Sequence, residues 1–174
     1  MKPPAIWYAE QDLSQHYMRR TDRPFEEGVS RGQLRCIGAC NDAQLGFFED
    51  DLYKCYAVIA DNRMRKGRQY GIGLRDWMDL YSNNQGKCFS VTTPLGIPYA
   101  AALCVPVSDE TCYISAWGDI DKVDNLSPVT FLCKGLYLWL RQHGFSTMDI
   151  GIGGDPGLDD FKRRLGFRLP EEGM

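Results

Sequence analysis

The sequence predicts an α/β fold built on one mixed, mostly antiparallel β-sheet that is flanked by helices. Residues 99–105 and 111–117 are apolar, strand-like runs separated by turn residues, which is typical of a hairpin. Residues 128–143 repeat apolar side chains at helical spacing, and residues 145–152 alternate as a strand does. A strand, a helix and a strand in succession form a crossover, which requires a parallel pair, so the sheet is predicted to be mixed.

The helix inside this crossover has the clearest boundaries in the chain. Ser127 is a favourable N-cap, and Pro128 fits the first helical position, where its missing N–H has no cost. Gly144 follows the last turn and can adopt the left-handed conformation that ends many helices. Apolar positions recur at helical spacing between these boundaries: Val129, Leu132, Cys133, Leu136, Leu140 and His143. This stripe predicts a helix that is largely buried against the sheet, with His143 on its apolar face.

The middle of the chain predicts three further elements. Residues 52–66 and 74–82 each place apolar side chains on one helical face, and residues 87–92 alternate as a strand. Asp50 or Asp51 can cap the first of these helices.

The N-terminal part is weaker in pattern. Residues 1–33 are polar and poorly periodic, which predicts a solvated helix or loop, and residues 34–39 predict a short strand. We therefore divide the chain into an arginine-rich N-terminal segment, residues 1–49, and a main domain, residues 50–174, which together would form one compact domain.

Bulk composition is that of an ordinary globular protein. The chain has 174 residues, of which 44% are hydrophobic and 25% charged, and its net charge is −3. That charge gives no general attraction to nucleic acid or to an anionic membrane. The longest apolar runs fall short of the ~20 residues that a membrane helix needs, and the N-terminus lacks an apolar signal core. We therefore expect a cytoplasmic protein with no membrane partner.

The seven cysteines are expected to be reduced. Their number is odd, and five of them lie in apolar strand or helix patterns, which predicts buried thiols and no intrachain disulfide. Cys36 and Cys40 are spaced like half of a metal site. The chain has only two histidines and no second close cysteine pair, so no metal is expected.

Three stretches carry a family resemblance. The first stretch, residues 52–67, is similar to a helix with paired tyrosines that ends in an asparagine–basic–glycine turn; it reads LYKCYAVIADNRMRKG. The second stretch covers residues 96–145. It looks like a hairpin, an aromatic–glycine loop and a proline-started helix of the same family, and it reads GIPYAAALCVPVSDETCYISAWGDIDKVDNLSPVTFLCKGLYLWLRQHGF. The third stretch, residues 148–167, is similar to the closing run of that family's domain; it reads MDIGIGGDPGLDDFKRRLGF. Over about residues 50–168 the chain thus resembles the GNAT superfamily of N-acyltransferases, and more closely its Fem-type aminoacyltransferase and acetyltransferase-like branch.

The resemblance implies an enzyme with a GNAT-like fold. It would move an acetyl or aminoacyl group from a coenzyme A thioester or a tRNA ester to an amine. The implied cofactor is acetyl-CoA or another acyl-CoA, without a metal. The implied partners are a small-molecule or peptide amine acceptor, and tRNA only if the donor is aminoacyl. Fem-type enzymes contain two such domains and this chain has room for one, so either two chains pair as a homodimer or the donor site is incomplete.

The resemblance also implies two catalytic carboxylates. Asp149 lies in the strand after the central helix, at the family's aspartate position, where it would orient an amine or act as general base. A structural role, accepting hydrogen bonds from the glycines that follow it, is an equal alternative. Asp119 is the second candidate base.

Six residues are implied in donor binding. The strand end would admit the acyl thioester, the helix N-terminus would attract phosphate, and one lysine of the last helix would hold a phosphate or carboxylate. These residues are Ala116, Trp117, Gly118, Ser127, Val129 and Lys162. The alternative for Lys162 is a solvated charge beside Arg163 and Arg164.

Two departures from the family pattern favour a second hypothesis, a catalytically silent GNAT-like binding module. GNAT acetyltransferases usually bind pyrophosphate on a basic, glycine-rich loop, whereas this loop carries Asp119, Asp121 and Asp124. The last helix also lacks the tyrosine that serves many GNAT enzymes as general acid. A third hypothesis is RNA binding through the N-terminal arginines. His16 has no predicted partner.

Overall fold

The computed structural model of the protein describes residues 6–67, 73–120 and 125–173. These residues contain six strands: β1 (His16–Arg20), β2 (Gly46–Glu49), β3 (Lys87–Thr92), β4 (Pro98–Pro106), β5 (Thr111–Asp119) and β6 (Thr147–Ile152). Their helices are α1 (Ile6–Ala9), α2 (Arg31–Asp42), α3 (Leu52–Arg65), α4 (Leu74–Asn83), α5 (Pro128–Gln142) and α6 (Pro156–Arg164). Two short 3-10 turns cover Leu13–Gln15 and Pro170–Glu172.

All six strands belong to one sheet in the order β1-β6-β5-β4-β3-β2. Strands β5 and β6 pair in parallel, and every other neighbouring pair is antiparallel. The predicted mixed, mostly antiparallel sheet is confirmed, and α5 is the crossover that makes the parallel pair possible.

Helix α5 packs on one face of the sheet together with α2. Leu132, Leu136 and Leu140 are fully buried, and Gly144 has a φ of 83°, so the predicted face and helix end are confirmed. The placement of His143 in the core is wrong. The helix ends at Gln142, so His143 lies beyond the buried stripe, exposed and stacked on Trp139.

Helices α3 and α4 pack on the other face with the N-terminal residues around α1. Cys55, Ile59 and Trp77 form the centre of this second cluster. The side chain of Asp51 caps α3 by accepting from the N–H groups of Tyr53 and Lys54, each at 3.0 Å. Both predicted helices and the β3 strand are confirmed.

Two expectations about the N-terminal part are wrong. Residues 34–39 lie inside helix α2, which is capped by Ser30 and buries Ile37 and Cys40. A pattern of six residues is too short to separate strand from helix, and the cap decides it. Residues 1–33 include β1, whose first four residues are buried because it pairs with β6 from the far end of the chain.

The expectation of seven reduced cysteines is also wrong. Cys104 and Cys112, both fully buried, are joined as a disulfide between β4 and β5. An odd count requires only that one cysteine stays unpaired, and the β4–β5 hairpin places the Cα atoms of these two 6.5 Å apart. The other five cysteines are free.

No helix among the described residues combines the length and the apolar character that a membrane crossing requires.

Candidate functional site

The parallel strands β5 and β6 separate towards their carboxyl ends. They pair only from Thr111 and Thr147 to Tyr113 and Asp149, after which each strand continues alone. Strand β5 also carries a bulge: Leu103 pairs with Ala116 and Cys104 with Ile114, so Ser115 is an extra residue. A bulge bends its strand and increases its twist. The two strands therefore diverge after Tyr113 and Asp149.

The divergence opens a cleft of about 390 Å³. Its walls come from the end of β5, the last turn of α3 and the first turns of α5 and α6. The lining residues are Asn62, Arg63, Lys66, Trp117, Gly118, Asp119, Val129, Asp155, Gly157, Leu158 and Phe161.

Helix α3 holds the end of β5 in place. The side-chain amide of Asn62, which is 1% exposed, donates to the backbone carbonyl of Asp119 at 2.6 Å, and Arg65 Nη2 donates to the same oxygen at 2.9 Å. A Cβ atom at Gly118 would lie 2.9 Å from Cγ of Asn62, closer than two such atoms can approach. Gly118 is therefore the residue that lets strand and helix meet at the cleft.

Side chains of both charges line the cleft. Arg63 and Lys66 contribute positive charge from the end of α3, and Asp119 and Asp155 contribute negative charge. Asp155 caps α6, accepting from the N–H of Gly157 at 2.8 Å, so it occupies that helix N-terminus. Val129 lies in the first turn of α5, next to Pro128, which has no N–H, and Thr130, whose N–H donates to the Ser127 carbonyl at 3.0 Å. An anion in the cleft would thus be attracted by α3 and by the N-terminus of α5.

Four of the residues predicted from the sequence line this cleft: Trp117, Gly118, Asp119 and Val129. Two others do not. Ala116 packs towards the α3 and α4 side of the sheet. The Ser127 hydroxyl lies 2.8 Å from Thr130 Oγ1, which donates to Gln33 of α2, so Ser127 faces the junction of two helices.

The expectation for Lys162 is wrong in both of its forms. Lys162 is 1% exposed, and its ammonium donates to the carbonyls of Ile150 and Gly151 at 3.0 Å and of Ile152 at 2.7 Å. Burial lowers the pKa of Lys162 to about 8, and the charges of Asp159 and Asp149 oppose that effect. An ammonium has three donors, so none remains for a ligand. Lys162 ties α6 to the end of β6.

The basic patch expected beside Lys162 is paired internally. Arg163 binds Glu172 at 2.6 Å, and Arg164 binds Asp160 at 2.7 Å. The positive charge at the cleft comes instead from Arg63 and Lys66 of α3.

Asp149 is fully buried and does not line the cleft. Its Oδ1 accepts from the N–H of Gly151 at 2.7 Å, as the structural interpretation of this residue expects. Its Oδ2 accepts from the hydroxyl of Tyr8 and lies 2.8 Å from Nδ1 of His16. A substrate in the cleft could not reach this carboxylate directly.

An aromatic cluster surrounds Asp149. The rings of Tyr8 and Tyr113 lie 5.9 Å and 5.8 Å from the imidazole of His16. Burial, followed by the charge of Asp149, raises the pKa of Tyr113 to about 12 and raises that of Tyr8 further. Both phenols therefore keep their protons at neutral pH.

Sequence reasoning missed this cluster and the contribution of α3. Tyr8 and His16 are 141 and 133 residues from Asp149, so no local pattern could join them. Asn62 did leave a signal, because it is an amide on the stripe of buried residues Cys55, Val58 and Ile59. Asp121 and Asp124 lie outside the described residues. Within the described ranges, no three His, Cys, Asp or Glu side chains are grouped so that they could hold a metal.

The comparisons find relatives by structure alone. No family model and no curated protein matches the chain. FemX superposes with a TM-score of 0.77 and 12% identity over 91% of this chain and 61% of its own. L-PGS from Bacillus licheniformis superposes with a TM-score of 0.66 and 12% identity over 90% of this chain and 58% of its own. A GNAT family acetyltransferase from Elizabethkingia anophelis with acetyl-CoA bound superposes with a TM-score of 0.51 and 13% identity. The match covers 67% of this chain and 71% of that acetyltransferase.

The chain therefore spans about three-fifths of the length of FemX and of L-PGS. At these identities the similarity is one of fold. The six-stranded mixed sheet, with its parallel β5–β6 pair and crossover helix α5, is a GNAT-like fold.

Proposed function

We propose that the protein is an N-acyltransferase that moves an acetyl or aminoacyl group from a coenzyme A thioester or a tRNA ester to an amine. The observation that carries this proposal is the separation of β5 from β6, which opens the cleft beside Trp117 and Gly118. The structural similarity to FemX and to an acetyltransferase with acetyl-CoA bound supports it.

The end of β5 offers what acyl transfer requires. The bulge at Ser115 interrupts the ladder, so a backbone N–H near it can donate to the carbonyl oxygen of the donor. That bond strengthens as the oxygen becomes an oxyanion during attack by the amine. The protein's other contribution is to hold amine and carbonyl carbon in line. Asp119 lies half-buried in the cleft wall and is the candidate base there.

Both classes of donor carry phosphates, and the cleft has one side for them. Arg63 and Lys66 lie at the end of α3, and Val129 brings the positive end of the α5 helix dipole to the cleft. Asp119, which Asn62 and Arg65 hold against α3, and Asp155 at the N-cap of α6 repel phosphate. The donor phosphates are thus expected beside Arg63 and Lys66, away from these two carboxylates.

Thermal unfolding with acetyl-CoA, and separately with a non-hydrolysable aminoacyl-tRNA mimic, tests the proposal. A donor present at 100 times its Kd stabilises the folded protein by ~2.7 kcal/mol. Lys66→Glu should weaken the effect, because it reverses a charge in the cleft. Arg75→Glu is the matched control, since Arg75 is an exposed residue of α4 that does not line the cleft.

Acyl transfer from the stabilising donor to an amine panel completes the test. If neither donor stabilises the protein and no acyl group is transferred, the protein is a silent GNAT-like module instead.

A further inference from the structure

A second cavity, of about 530 Å³, lies beside the first residues of β1. It shares no lining residue with the cleft. Its walls come from the turn before β1 and from the loop between β6 and α6; the residues that matter here are Gln11, Asp12, Gln15, His16, Gly154 and Asp159. This loop, residues 153–155, and the first turn of α6 also border the cleft, through Asp155 and Gly157. The cavity and the cleft therefore lie on either side of one short segment.

The hydrogen bonds around His16 determine which of its nitrogens carries the proton. The hydroxyl of Tyr8 donates to Asp149, so Asp149 acts as an acceptor. His16 Nδ1 lies 2.8 Å from the same carboxylate and must therefore be a donor. The neutral imidazole then has its lone pair on Nε2. That nitrogen is buried and has no hydrogen-bond partner.

A buried acceptor without a partner has a free-energy cost and marks a place where a ligand, a water or a proton belongs. His16 is 0% exposed as a residue and nevertheless lines the cavity. An imidazole that is held by a carboxylate through Nδ1, has no partner for Nε2 and belongs to a residue lining a cavity has the arrangement of a general base.

The charge of the cavity selects the kind of ligand. Asp12 and Asp159 line it, whereas no Lys or Arg of the described chain does. Lys162 and Arg163 lie over the ring of Tyr17, 5.2 Å and 5.4 Å from its centre, but they are engaged with backbone carbonyls and with Glu172. Net negative charge beside a proton acceptor favours a primary ammonium group.

We propose that this cavity binds the amine acceptor and that His16, instead of Asp119, is the base that deprotonates it; the catalytic part of this inference rests on the proposed acyl transfer. Asp149 is then a positioning residue, which holds the imidazole and stabilises the imidazolium that forms. The cavity is also large enough for an organic group that carries the amine.

The proton and electron balance is simple. Nε2 of His16 takes one proton from the ammonium, and the freed lone pair forms the C–N bond to the donor carbonyl. The C–S bond of a thioester, or the C–O bond of an ester, breaks and its electron pair leaves on sulfur or oxygen. The leaving atom takes the second nitrogen proton, and the imidazolium returns its proton to solvent.

Nitrogen NMR of the two imidazoles tests the binding part without any activity. The chain has two histidines, and His143→Gln leaves His16 alone. We expect the free protein to show Nδ1 protonated and Nε2 unprotonated. Titration with n-butylamine should shift the Nε2 resonance saturably, and titration with 1-butanol, its neutral analogue, should not. A proton on Nε2 in the free protein, or an equal response to amine and alcohol, would overturn the proposal.

Two variants test the acceptor site further. Asp159→Asn should weaken the response to n-butylamine because it removes charge from the cavity. Lys66→Glu, in the cleft, should leave that response unchanged. The reverse pattern would place the amine in the cleft and overturn the assignment.

Kinetics separate this inference from the proposed function. His16→Gln should lower kcat by about 10²-fold or more, as loss of a general base does. It should leave the KM for acetyl-CoA and the thermal shift with acetyl-CoA unchanged, and His143→Gln should leave all three unchanged. A His16→Gln enzyme with wild-type kcat overturns the role of His16 alone. A wild-type protein that binds no donor overturns the proposed function, while the NMR result still decides the amine site.

Discussion

At the scale of single residues, two buried ionisable groups control the end of β6. Asp149 accepts from Tyr8, His16 and Gly151, and Lys162 donates to three consecutive carbonyls of the same strand region. Buried charges persist in proteins only where such partners satisfy them. Each of these residues is therefore expected to matter for stability as well as for any reaction.

Lys162→Met should destabilise the protein by about 2–4 kcal/mol, because it removes charged hydrogen bonds and leaves buried carbonyls without donors. Urea unfolding measures the difference. Arg164→Met, on the same helix but 59% exposed as a side chain, should change stability by less than about 0.5 kcal/mol. Equal effects of the two substitutions would contradict the buried role of Lys162.

Asp149→Asn should lower the unfolding free energy by about 1–3 kcal/mol, since the neutral amide is a poorer acceptor for buried donors. It should also change the proton distribution on His16, because Asn can donate to Nδ1 and so favour a proton on Nε2. Unfolding experiments and the imidazole NMR spectrum measure the two effects together. An unchanged spectrum would show that the carboxylate does not orient His16.

At the scale of elements, the cleft depends on how closely α3 approaches the end of β5. Asn62 bridges the two by bonding the Asp119 carbonyl, and Gly118 provides the space for it. The bulge at Ser115 changes the direction of β5 before that point. Strand, bulge and helix end together determine the width of the cleft.

Gly118→Ala should destabilise the protein by about 1–3 kcal/mol and weaken donor binding, because its Cβ would force α3 away from β5. Gly38→Ala is a suitable control. Gly38 lies in α2 with no atom within 4 Å of an added Cβ, so alanine should stabilise the helix by roughly 0.5–1 kcal/mol. Thermal unfolding with and without acetyl-CoA measures both variants. Gain of stability at both positions would contradict the close packing at Gly118.

At the scale of the whole molecule, the N-terminal residues complete the sheet at the β6 edge. Strand β1 pairs with β6 on one side, and Met18 forms an isolated bridge with Arg168 near the C-terminus. The buried guanidinium of Arg19 donates to Leu165 and Glu27, each at 2.6 Å. It also packs between aromatic rings, at 4.6 Å from the centre of Tyr137 and 4.9 Å from that of Phe25. Strand β1 thus contacts both β6 and the residues that follow α6.

Arg19→Lys should destabilise the protein by about 2–4 kcal/mol, because an ammonium cannot reproduce the planar fork that reaches several carbonyls. Arg20→Lys, whose exposed partner is Asp22, should cost less than about 0.5 kcal/mol. Chemical denaturation compares the two. A small effect at Arg19 would show that its guanidinium contacts contribute little to stability.

The sequence by itself determined the elements from α3 to β6 and the parallel pair between β5 and β6. Those predictions rest on local information: Asp51 and Pro128 begin helices, Gly144 ends one, and apolar spacing identifies the buried faces. The resemblance added a cleft at the end of β5, with Trp117 and Gly118 in its wall.

Only the tertiary structure decided the rest, because the remaining contacts join residues far apart in the chain. His16 acquires its partner 133 residues away, so nothing near it in the sequence distinguishes it from a solvated histidine. The sequence around Lys162 predicts an exposed charge, whereas in the structure its ammonium donates to three carbonyls at the end of β6. Burial, hydrogen bonding and proton position depend on all the residues that surround a side chain in the folded protein. Local sequence patterns contain no information about contacts with distant parts of the chain.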